Sequence, residues 1–62
     1  MGLNLAPNIL DADGFYDELL EAHHGLEKAD SDALNARLIL ILANHIGDRD
    51  TLRHALEAAR KC

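Results

Sequence analysis

The chain has 62 residues, six of them basic and eleven acidic, and a net charge of −5 at pH 7. That length excludes more than one domain and leaves little room for a core, because so short a chain buries only about 60% of its unfolded surface. The single cysteine, Cys62, excludes an internal disulfide, and the acidic balance argues against general phosphate-backbone binding, which needs clustered Lys and Arg.

Residues 1–10 read as an extended arm ahead of a single helical domain over 11–62. Pro7 has no amide donor and holds Ala6 extended. Leu3, Leu5, Ile9 and Leu10 make the arm apolar enough to lie on a surface. Two readings stay open, a frayed end or a strap across the bundle or a partner. The opening residues lack the basic region of a secretory leader, and one cysteine fits a reducing compartment. A cytoplasmic location is expected on both counts.

A first helix is expected from Asp11, whose carboxylate can accept from the free amides of the opening turn. Leu10 and Phe15 stand where a hydrophobic staple would join them. Phe15, Tyr16, Leu19, Leu20 and His23 recur at helical spacing, and Gly25 suits the left-handed position after the helix. A second helix starts between Glu27 and Ser31 and runs to about Ile46, with Gly47 ending it. Ser31 reads as one of its possible caps. A third helix follows Asp48 as N-cap, with Asp50 in its first turn and Arg60 and Lys61 in its last. Leu52, Ala55, Leu56 and Ala59 form its apolar stripe, and Arg53–Glu57 and Glu57–Lys61 are spaced to pair. No segment alternates with period two, so the fold class is all-α, a three-helix bundle or helical hairpin.

The middle helix carries Leu38-Ile39-Leu40-Ile41-Leu42-Ala43, six apolar residues in succession. Six consecutive helical positions point in every direction, whereas a surface helix keeps its apolar residues to a stripe. With Leu34 at zero, Leu38, Ile41 and Leu42 fall within about 80°, and Ile39, Ala43 and Ile46 continue to about 180°. Ala36 and Leu40 carry the arc to about 240°, leaving Arg37 and Asn44 as the polar strip. Two thin helices can cover much of such a perimeter but not all of it; one reading is a monomer with this helix central and the arm filling the gap. The expectation is a dimer or a partner-bound chain in which Ile39, Leu40 and Ala43 supply apolar contact and Arg37 and Asn44 a polar rim. Asn35 and His45 fall inside the apolar arc, where polar groups need partners. Both are expected to be structural, or to sit at a wet boundary.

Chemistry is poorly supplied. His23 and His24 are adjacent and point about 100° apart, and Glu21-x-x-His24 occurs once where a di-iron bundle needs the pattern on facing helices. No metal, cofactor or catalytic residue is expected, unless ligands double at a dimer axis. Ser31 has no neighbouring base, and Cys62 stands at the end of the chain. The second and third helices resemble a helix-turn-helix in order, and the third carries Arg49, Arg53, Arg60 and Lys61. Its start holds Asp48 and Asp50, however, where a reading helix presents basic or amide groups. Residues 1–30 carry a net −6 and residues 31–62 a net +1. Neither nucleic acid nor a membrane is an expected partner, and six apolar residues are too few to span a bilayer.

Ala33-Leu34-Asn35-Ala36-Arg37-Leu38, Ala43-Asn44-His45-Ile46-Gly47-Asp48, Gly14-Phe15-Tyr16 and Ala22-His23-His24-Gly25-Leu26 together resemble a family of very small uncharacterised bacterial proteins. The resemblance covers nearly the whole chain. It departs at Glu27-Lys28-Ala29, where the family often has a Ser-rich cap. Members are often encoded beside FAD-dependent aromatic-ring hydroxylases in Proteobacteria, which implies an accessory role and carries over no catalytic residue. The functional expectation is a non-catalytic interaction module or accessory subunit, acting on itself or on a larger enzyme. The alternative is an enzyme subunit or a ligand or metal binder that lends His45 and Asn44 to a shared site.

Overall fold

Asp11 opens the first helix by an unusual route. Its backbone is left-handed, at φ 56° and ψ 61°, a region that aspartate tolerates better than most residues. From there its Oδ1 accepts from the Gly14 amide at 3.2 Å. A Cβ on Gly14 would collide with that carboxylate, so glycine keeps the cap in place. The computed structural model describes residues 3–61. Met1, Gly2 and Cys62 lie outside the described residues, and with them the expectation for Cys62.

Three helices follow in order: α1 over Ala12–His23, α2 over Lys28–Ile46 and α3 over Arg49–Lys61. No strand occurs among the described residues, and the fold is all-α. The arm has neither helix nor strand over residues 3–10, and its one local bond joins the Ala6 amide to Asn4 Oδ1 at 3.0 Å. Leu10 is 97% exposed, so the expected staple with Phe15 does not form. The left-handed Asp11 turns the chain between those two residues.

Gly25 and Gly47 end α1 and α2 as expected, at φ 79° and 75°. The α2 helix starts at Lys28 behind Glu27, whose side chain caps nothing. Ser31 is not a cap: it lies inside α2, where its amide donates to the Glu27 carbonyl at 2.9 Å. Lys28 instead braces the first turn by pairing with Asp32 at 2.8 Å.

Asp48 caps α3, its Oδ2 accepting from the Thr51 amide at 2.9 Å and from Thr51 Oγ1 at 2.5 Å. The Thr51 hydroxyl, and then its amide, hold the Asp48 carboxyl below the usual aspartate range. A lowered folded value means that ionised Asp48 favours the fold. That contribution is complete above the ordinary aspartate value, about 4, and fades as pH falls through the lower folded value. Asp48→Asn keeps an acceptor but not the titration. It is expected to flatten the acid limb of a helicity-against-pH curve, and an unchanged limb would refute the assignment. Arg53 reaches back to Asp50 at 3.0 Å. Neither expected pair of Glu57 is among the ion pairs of the described residues, which are Lys28–Asp32 and Arg53–Asp50.

The three helices do not enclose a core. No described residue is buried. The radius of gyration is 13.3 Å, against about 11 Å for a compact chain of this length. The accessible surface is 5718 Å², whereas a folded monomer of 6.8 kDa should expose roughly 4000 Å².

Candidate functional site

The tight Gly47-Asp48 turn sends α3 back beside α2, and the two helices share an open groove of about 490 Å³. Ile39, Leu42, Ala43 and Ile46 line it from α2, and Leu52, Ala55, Leu56 and Ala59 from α3. The α3 side is the apolar stripe foreseen from spacing. The α2 side is one sector of the larger apolar arc. Ile39 remains 64% exposed, Ile46 52% and Leu56 66%. All eight are hydrocarbon side chains, so the groove offers apolar contact and no polar chemistry.

Of the five expected interface residues, the structure brings Ile39 and Ala43 together in the groove. Leu40 is 69% exposed and lies outside the lining. Arg37 and Asn44 are exposed and also outside it. Leu42 and Ile46 complete the α2 wall. Their signal was present in the wheel, but only the position of α3 selects that sector.

Asn35 acquires a partner that periodicity did not name. Its Oδ1 lies 2.8 Å from His23 Nε2, while His23 Nδ1 lies 2.8 Å from the Leu19 carbonyl. His23 thereby ties the last turn of α1 to α2. Its place on α1's apolar stripe was the available clue. The Leu19 carbonyl chiefly, and Asn35 next, raise the His23 imidazole above its ordinary value. A raised folded value means that the protonated ring favours the fold. The contribution is complete below the ordinary imidazole value, about 6.5, and is lost as pH rises through the folded value. The loss is partial, since the Asn35 amide can turn over and donate to the bare Nε2. An NMR titration of the His23 ring should show a raised value that Asn35→Ala lowers; no response to Asn35→Ala would remove the clasp.

His45 is exposed and its side chain bonds no other described residue, which places it at the wet boundary. No group of three or more His, Cys, Asp or Glu among the described residues is placed to hold a metal ion. No helix among them is long and apolar enough to cross a membrane.

A family model described as a protein of unknown function, DUF2783, matches residues 3–61. The chain belongs to that family. No curated protein matches it, and no solved structure does. The match takes in the arm and all three helices, so in this DUF2783 protein the groove and the His23–Asn35 clasp both lie within the family's span.

Proposed function

We propose that this DUF2783 protein is a small non-catalytic interaction module or accessory subunit that buries its α2–α3 groove against another protein surface. The observation that carries this reading is the surface excess. The chain exposes 5718 Å² and buries no described residue, about 1700 Å² above what a folded monomer of its mass should expose. Large apolar patches on small chains mark interfaces, and so short a chain needs a staple or an oligomer to hold. The groove is wholly apolar, which suits docking and supplies no acid, base or nucleophile. His45 and Asn44 lie outside its lining, so no observation favours lending them to a shared catalytic site.

Two occupants answer to this reading, a second copy and a larger enzyme. By the resemblance noted above, the larger enzyme to test is a flavin-dependent aromatic hydroxylase. The deciding experiment is sedimentation of the purified chain, with an apolar dye as a second readout. Self-association, or a monomer whose groove binds the dye, is expected. A stable monomer with no dye binding would refute the interaction role.

A further inference from the structure

We propose that the occupant of the groove is the α1 helix of a second copy, in a two-fold dimer where each copy's α1 seats on the other's α2–α3 groove. This deepens the interaction reading and rests on it. Three observations converge on a second copy.

The first is area. An excess of about 1700 Å² on each copy amounts to roughly 3400 Å² over a pair, within the range of obligate homodimer interfaces. The second is the rim of the groove. On α3, with Leu52 at zero, Arg49, Arg53 and Arg60 fall at about 60–100°, in one row beside the apolar stripe. Asp50 and Glu57 fall farther round, at about 140–160°. All three arginines are exposed, and the only ion pair among them, Arg53–Asp50, is exposed at both ends. Exposed pairs of this kind exchange partners at little cost.

The third is the chain's own complement. On α1, with Phe15 at zero, Tyr16 and Leu20 lie at about 100–140°, and Asp13, Asp17 and Glu21 follow at about 160–240°. Tyr16 is 59% exposed and Leu20 52%. An apolar ridge with an acidic row along one edge thus matches an apolar groove with an arginine row along one edge. Asp13 to Glu21 spans about 12 Å and Arg49 to Arg60 about 16 Å, so the rows are commensurate. Glu18, Lys61 and the capping Asp11 and Asp48 are the other charges on these helices, and none belongs to a row; His24 falls at about 180°, beside the acidic row. One chain carries both halves, and reciprocal seating of two copies closes the interface on itself.

Charge exchange tests the pairing in the full chain. Arg53→Glu with Arg60→Glu makes both rows acidic; Asp17→Lys with Glu21→Lys makes both rows basic. In sedimentation, each variant alone should dimerise at least about tenfold more weakly than the parent, since like charges face each other. The equimolar mixture should regain the parent's affinity, because both contacts of the mixed dimer pair opposite charges. Variants that each dimerise as well as the parent, or a mixture no tighter than its components, would overturn this seating. A monomeric parent would overturn the second copy as occupant. Dye binding by that monomer, abolished by Ile39→Lys, would leave the interaction role standing with a different partner; no dye binding would remove both.

Discussion

Ile39→Lys is expected to dissolve the assembly, raising its dissociation constant by about 10²–10⁴-fold. Ile39 lines the groove from α2 and keeps 64% of its surface exposed within one copy. In the proposed dimer its remaining burial comes from the second copy. Fully burying such a side chain contributes about 1.5–3 kcal/mol, and a two-fold interface counts the loss twice. The substituted ammonium adds a desolvation cost. Leu40→Lys is the comparison. Leu40 is as exposed as Ile39 and lies outside the lining, so its effect should stay below about tenfold, the scale of a surface change. Sedimentation of both variants reads the difference directly. Equal losses would mean that the contact surface is the whole girdle of α2 rather than the groove.

Gly47→Ala is expected to lower the melting temperature by about 5–15 °C at fixed chain concentration. Gly47 sits at φ 75°, and its amide donates to the Ala43 carbonyl at 2.9 Å. A Cβ there would approach the Asn44 carbonyl oxygen at 3.7 Å, an ordinary contact. The cost is therefore backbone strain, about 1–2 kcal/mol for an L-residue in the left-handed region. For a chain of marginal stability that is a large fraction. Chemical synthesis supplies the control, because a D-alanine at 47 adds the same methyl without the strain and narrows the unfolded ensemble. It should melt at or above the parent's temperature. If both enantiomers lower the melting temperature alike, the methyl group and not the handedness is at fault.

The Gly47 turn also shows how far residues alone carry the fold. Gly25, Gly47 and the Asp48 cap are short-range devices, each settled by a few neighbouring atoms, and they were legible as such. So was the α3 stripe. The misreadings came where two local solutions compete at similar energy. Ser31 could cap but sits inside a helix that starts earlier. Arg53 could pair forward with Glu57 but reaches back to Asp50. The Leu10–Phe15 staple depends on the direction of the arm, which the left-handed Asp11 sets. Asn35 illustrates the remaining gap: its need for a partner follows from its place in the apolar arc, but the identity of His23 does not.

The residues by themselves determined three helices, most of their ends, and an apolar perimeter on the middle one too wide for a surface helix. Spacing along a helix follows from its fixed pitch, so faces can be drawn without coordinates. Only the tertiary structure decided which sector of that perimeter becomes the groove, since Ile39, Leu42, Ala43 and Ile46 are singled out by where α3 comes to rest. It alone also fixed how much of α2 stays open, with Ala33, Leu34, Leu38 and Ala43 half-covered and Ile39, Leu40, Ile41 and Leu42 exposed. Wrapping is a matter of how helices cross and how far apart they lie, and no pattern of residues along one helix contains that distance.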